Sequence, residues 1–360
     1  MDDRSPSPPH SKPRGKLRKA MSHPAKAEGG EIVDARSEKP SYAKELYTFV
    51  VAYWNGFWFT PADVMTLGVV RLLTGAMLLY THCVWTADIH DFFGAGSWTS
   101  AAAVAETASA GASTNPLQTW AWSHWWWFSS PAAVWAVHLF ALAVFALLMV
   151  GWKSRWASIL AYLLAAGYWS RAPAAMFGLD QINLILAFYV MLGPSGDAVS
   201  VDRCLAAGQG EMSQRSSVGA NVAVRLLQVH MCVIYFFAGA GKLAGSSWWD
   251  GTALWLAWAN TGYQTVDLTW LAEWPRMINL LTTGSLLWEL SFCVFIWPRL
   301  TRPVVLAGGV LLHLGIGISM GMMTFGLVML IGCCSFIPPE RMRQWLTQSP
   351  WLRWLPAQAI

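Results

Sequence analysis

Charge is what this sequence has least of. Of 360 residues only 12% are Asp, Glu, Lys or Arg, against ~25% in a soluble domain. From Leu72 to Trp152 there is no lysine or arginine at all. The six cysteines (Cys83, Cys204, Cys232, Cys293, Cys333, Cys334) form no CxxC pair and no zinc-ligand spacing, so they read as small apolar fillers and no metal site is expected. No cleavable signal peptide is visible, because the first apolar run comes too late. No nucleic-acid partner is expected. What is present instead is 55% hydrophobic residues and 24 tryptophans, a load that suits membrane interfaces and aromatic-lined cavities. The fold class this implies is all-α, a polytopic membrane protein whose first partner is the lipid bilayer.

Residues 1–40 are basic, proline-rich and nearly free of aromatics, a composition that cannot bury enough apolar surface to order itself. The expected layout is a disordered cytoplasmic tail over 1–40, a transmembrane domain over 41–340 and an interfacial amphipathic segment over 341–360. An aromatic stretch from Tyr47 to Phe59 fits a helix lying on the membrane. Thr60 and Pro61 supply a cap and first-turn signal for the first span. Apolar runs then predict eight spans, at 63–85, 131–151, 156–170, 180–192, 222–242, 276–297, 303–320 and 321–337, of which the third and fourth are short. Lys153, Arg155, Arg203, Arg299 and Arg302 fall in alternate connections, which by the positive-inside rule puts both termini in the cytoplasm. The other two long loops hold Asp88, Asp91, Glu106 and two tryptophan clusters, Trp120 to Trp127 and Trp248 with Trp249. A shared vestibule on that face is one reading of the two clusters.

An ionisable residue inside a span costs ~2.5–3.5 kcal/mol on insertion scales, so each needs a partner or a function. The segment from Val222 to Trp249 concentrates them. It carries Arg225, His230 and Lys242, and narrows to Ala238-Gly239-Ala240-Gly241 just before the lysine. Small residues let another helix or a flat ligand come close. Gln228, Tyr235 and Lys242 recur every seven residues and so share a helical face. Lys242 fits a snorkelling cap of the helix C-terminus or a base in a desolvated pocket, with Gly239 and Gly241 as close-packing wall and Tyr235, Trp248 and Asp250 as lining. Glu289, in the middle of the sixth span, is a candidate partner for Arg71 or His313 or a proton acceptor, with a structural ion pair as the plainer reading. His313, among glycines, is a packing residue or a group that tunes protonation. Arg71 and Asp180 fit a structural charge pair between the first and fourth spans, and Arg225 is a further structural charge. The GAGK at 239–242 is not a phosphate loop, since Phe236 stands where its first glycine belongs and Leu243 where Ser or Thr belongs.

Several of these stretches together resemble the HTTM (horizontally transferred transmembrane domain) family, which is related to the membrane core of the vitamin K-dependent gamma-glutamyl carboxylase. The resemblance rests on FTPADVMTLGVVRLLTG at 59–75, GLDQINLILAFYVMLGP and SVDR within 178–203, RLLQVHMCVIYFFAGAGKLAGSSWWDGTALWLA at 225–257, WELSFCVFIWPRLTRP at 288–303 and LLHLGIGISMGMMTFGLVML at 311–330. It implies that Lys242 matches the lysine by which the carboxylase deprotonates reduced vitamin K, so that reduced vitamin K or another quinol is the implied cofactor or substrate. The carboxylase also uses a histidine at the start of its fourth-span segment, where this chain reads Leu179-Asp180-Gln181. After its last span the chain has little room for the extracytoplasmic portion that binds carboxylase substrates. The resemblance therefore implies the membrane core and a quinone-type pocket rather than glutamate carboxylation. Two further readings stay open: a non-enzymatic lipid- or quinone-binding protein, and a small transporter, for which no inverted repeat is visible. No protein partner is indicated.

Overall fold

A computed structural model describes residues 41–98, 106, 122–128, 130–210 and 215–348. The tail expected over 1–40, the alanine/serine-rich middle of the first long loop and the last part of the C-terminal segment lie outside the described residues. By its contacts the chain separates into residues 1–48 and residues 49–360. Of the first unit, the described part is the opening of helix α1 (Tyr42–Phe59), a helix with no buried residue.

The second unit is helical apart from one described pair of two-residue antiparallel strands, which joins Ala62 to Ser217 and Asp63 to Ser216. Its main helices are α2 (Met65–Trp85), α3 (Pro131–Val150), α4 (Ser154–Arg171), α5 (Gly178–Leu192), α6 (Val218–Lys242), α7 (Pro275–Phe295), α8 (Arg302–Met320), α9 (Met323–Cys333) and α10 (Pro339–Gln348). Local chemistry sets their ends. Ser130 accepts from Ala133 N at 3.3 Å ahead of Pro131, and Ser217 accepts from Ala220 N at 3.4 Å, so both helices start on a hydroxyl cap. Gly151 and Gly321, with φ of 74° and 70°, end α3 and α8 in the left-handed region that glycine enters freely. The expected Thr60–Pro61 cap is not formed. Thr60 bonds back to Gly56 O at 2.7 Å and finishes α1, while Asp63 Oδ1 takes Met65 N at 2.8 Å and starts α2.

Five helical stretches among the described residues are long and apolar enough to cross a membrane: Met65–Phe93, Pro131–Val150, Val218–Lys242, Pro275–Phe295 and Arg302–Met320. Their outer faces are apolar as well, with Leu280 70% and Leu311 75% exposed. Such surface is expensive against water and cheap against lipid tails. The protein is therefore a multi-pass α-helical membrane protein. Helix α5 is shorter, and Met323–Phe336 meets α10 at a bend of 118° across Ile337 and Pro338.

Helices α2, α3, α4 and α5 pack as one group, and α6, α7, α8 and α9 as another. Helix α9 also touches α2 and α5, so it joins the two groups. The approach of α9 to α8 depends on Gly326, where an added Cβ would lie 2.5 Å from His313 O.

Arg71, fully buried, holds the first group at one end. Its Nη1 donates to Leu148 O at 2.6 Å and Met149 O at 2.8 Å, its Nε to Ser195 O at 3.1 Å, and its Nη2 to Val199 O. The first two are last-turn carbonyls of α3, which have no partner within the helix and carry the negative end of its dipole. Val199 has a φ of 50°, unfavourable for a β-branched residue, and the guanidinium bonds its carbonyl. Arg71 does not pair with Asp180, whose Oδ2 instead accepts from Phe177 N at 3.2 Å at the start of α5. One cation can satisfy several carbonyls through the five-donor guanidinium fork, and no carboxylate is then needed.

Replacing Arg71 with Met should cost ~3–5 kcal/mol, because the carbonyls around it lose their donors in a dry site. Lysine, with one nitrogen, should restore less than half of that. Thermal unfolding in detergent reads both; a loss below ~1 kcal/mol in Arg71→Met would rule out this role.

Candidate functional site

The seven-residue spacing along α6 places three polar side chains on its inner face, and each meets a different partner. Gln228 donates to Ser335 O at 2.7 Å, beyond the end of α9. The Tyr235 hydroxyl lies 2.7 Å from His313 Nε2 of α8 and 3.3 Å from Cys333 Sγ of α9. Lys242 Nζ donates to both carboxylate oxygens of Glu289 on α7. Glu289 thus pairs with neither Arg71 nor His313, the partners expected from sequence.

Close packing sets this arrangement. An added Cβ at Gly239 would lie 2.9 Å from Leu290 Cδ2, so the glycine lets α7 approach α6 next to Glu289. Gly241, expected to do the same, has nothing within 4 Å of such a Cβ and faces open space. Tyr235 is held by ring contacts to Phe292 at 4.2 Å and Trp288 at 5.0 Å. Trp248, on the short helix Ser246–Trp249 after α6, places its ring 5.0 Å from Lys242 Nζ, within cation–π range. The side chain of Glu289 is 7% exposed and that of Lys242 28%. The carboxylate is thus buried, and the ammonium is partly exposed beside Trp248. His313 Nδ1 is buried with no hydrogen-bond partner among the described residues.

Two cavities flank this site. One, of about 540 Å³, lies between α7 and α8 with mostly apolar walls that include Leu281, Trp288, Leu312 and Trp258. Its two serines are already engaged, Ser285 with Thr282 O at 2.8 Å and Ser319 with Gly315 O at 2.7 Å. Trp288 forms part of its wall and touches Tyr235. Neither Lys242 nor Glu289 lines it. The other, of about 600 Å³, is lined by Asp250, Trp255, Arg276 and Asn279. Asp250 is exposed and lines that cleft, and its carbonyl accepts from Asn279 Nδ2 at 3.3 Å. Arg225 sits near the other end of α6, with Nη1 3.0 Å from Gln228 Oε1 and its guanidinium 4.5 Å from the Phe57 ring.

The tryptophans at 122–127 serve the first group of helices. Trp125 packs against Phe93 and Tyr168 at ring distances of 4.8 and 5.1 Å, whereas Trp248 packs on Lys242.

Sequence reasoning did not anticipate a second polar cluster. His138 Nδ1 lies 2.7 Å from the Tyr168 hydroxyl and its Nε2 2.9 Å from Thr86 Oγ1. His82 Nδ1 lies 2.8 Å from Leu78 O. The signal was present as two histidines within apolar runs, but their partners come from other segments. Among the described residues no group of three His, Cys, Asp or Glu is placed to hold a metal ion, and the six cysteines are free.

The elements and the site define a mainly helical, multi-pass membrane protein with a partly buried ion pair beside an apolar cavity. No protein-family model, curated protein or solved structure matches the chain.

Both buried histidines with incomplete bonding can be tested. Tyr235→Phe should cost ~1–3 kcal/mol in thermal unfolding, because it leaves His313 with no bonded ring nitrogen in a buried site; no change would mean that His313 finds another partner. His124, in the loop ahead of α3, is buried and bonds no described residue through either ring nitrogen. Burial pushes it down from 6.5 to about 4. The unfolded chain therefore takes up the proton first, and the stability this site gives at neutral pH is lost as pH falls from 6.5 towards 4. His124→Phe should flatten the melting curve against pH over that window, and an unchanged curve would show that His124 does not contribute.

Proposed function

We propose that this is an HTTM-type membrane protein that holds a lipophilic, ring-bearing molecule such as a quinol between α7 and α8 and handles a proton at Lys242 and Glu289. The observation that carries the proposal is the ion pair, buried at one end of α6 and one residue along α7 from Trp288, a wall of the apolar cavity. A cavity of about 540 Å³ whose apolar walls include Trp258 and Trp288 suits a flat apolar ring. A quinol, when bound, supplies an ionisable hydroxyl.

The chain's own residues would then divide the proton handling between them. Lys242 donates to both oxygens of Glu289, so it becomes a base only after its proton has moved to the carboxylate or out past Trp248. Glu289 is the acceptor in contact with it. Tyr235 and His313 form a second hydrogen-bonded pair deeper along α6, on the same face as Lys242 and behind Trp288.

The orientation belongs to the same proposal. Eight crossings, with α4, α5 and α9 completing the five longer ones and interfacial helices at each end, would put both termini on one side, and the basic connections favour the cytoplasm for that side. Lys242, Glu289 and Trp248 then open to the other side.

One observation favours the alternative of ligand binding without turnover: neither Lys242 nor Glu289 lines the cavity. Mass spectrometry of quinones and lipids that co-purify with the detergent-solubilised protein, wild type beside Lys242→Ala, separates the readings. A quinone-class molecule in both samples, with a product oxidised by dissolved dioxygen only in the wild type, is the outcome expected if the lysine deprotonates the quinol and the quinolate then reduces dioxygen. The same ligand in the same state in both would leave binding alone. Bulk phospholipid alone in both would overturn the quinol proposal.

A further inference from the structure

A polar cavity lies at the other end of α6. It encloses about 980 Å³ between the start of α6, the α7–α8 turn and α10. Arg225 and Lys242 are separated by 17 residues of α6, ~26 Å along the axis, so this cavity and the ion pair lie near opposite membrane surfaces.

Four arginines converge on it: Arg225 from α6, Arg299 from the α7–α8 turn, Arg302 from the start of α8, and Arg341 from α10. Its acids do not balance them. Asp63 is occupied by Arg343 at 2.9 Å and by Met65 N, which leaves Glu340. Among the described residues no carboxylate lies within ion-pair distance of any of the four. Arg302 spends Nε and Nη2 on Ile296 O and Trp297 O, at the C-terminal end of α7. Arg225 Nε is buried with no hydrogen bond, and the side chains of Arg299 and Arg341 are exposed. A cavity that gathers this much positive charge needs an anion, and a guanidinium cluster suits a phosphate.

The rest of the wall decides the kind of anion. Leu306 and Val310 of α8 line the cavity, and Val304 and Leu311 on the same helix face outwards at 73% and 75% exposure. An occupant thus meets cations at one end and an apolar helix at the other. We propose that this cavity is a binding site for an anionic phospholipid, with its phosphate among Arg225, Arg299 and Arg341 and its acyl chains along α8. Basic pockets between helices near a membrane surface take anionic headgroups in this way. The inference does not depend on the chemistry at Lys242.

The test uses the full-length protein in a neutral detergent, titrated by native mass spectrometry with phosphatidylglycerol, with phosphatidylcholine, and with inorganic phosphate as competitor. Wild type is compared with Arg299→Gln/Arg341→Gln, whose exposed side chains make no bond that folding needs, and with a charge-matched control, Lys44→Gln/Lys153→Gln. The expected result is preferential binding of phosphatidylglycerol that weakens ~10- to 30-fold in the arginine variant, from about 1 kcal/mol per basic residue near the surface, and is unchanged in the control. Equal binding in all three proteins, or an equal loss in the control, would overturn the site. Competition by inorganic phosphate at concentrations similar to those of the lipid would overturn the lipid assignment and leave a free-anion site.

Discussion

A charged side chain between lipid tails has no water to solvate it, so it must bring its partners with it. Most of the unusual features of this protein arise from that constraint. Arg71 meets it with backbone carbonyls and in doing so ties the end of α3 to the turn before residue 200. Lys242 and Glu289 meet it with each other, and so hold α6 to α7. The same physics gives Arg71 a set of backbone carbonyls and gives Lys242 a carboxylate. Arg71 is sealed on every side, whereas Lys242 is partly exposed beside Trp248.

Helix α6 organises the second half of the molecule because its inner face carries a polar group every second turn. Gln228 reaches the segment after α9, Tyr235 reaches α8 and α9, and Lys242 reaches α7. In an apolar medium such bonds fix helix rotation and register, which dispersion contacts between leucines specify weakly. The short residues alongside, Gly239 above all, are what bring α7 within reach. The helix also runs from a cationic cavity at one end to a buried ion pair near the other. Two chemically different sites can thus be served by one rigid element.

The sequence alone determined the class. Low charge, long apolar runs and many tryptophans require a multi-pass helical protein, because helices are the way such a chain satisfies its backbone in lipid. Seven-residue spacing also placed Gln228, Tyr235 and Lys242 on one face, since helical periodicity is a local property. Partners were not local. Arg71 with α3 carbonyls, Glu289 with Lys242, His138 with Tyr168 and the four arginines of the large cavity all join segments from 30 to more than 100 residues apart. Only the packing of the helices decided those, because a buried charge takes whichever donor or acceptor the fold brings near it, and neither composition nor periodicity encodes which that will be.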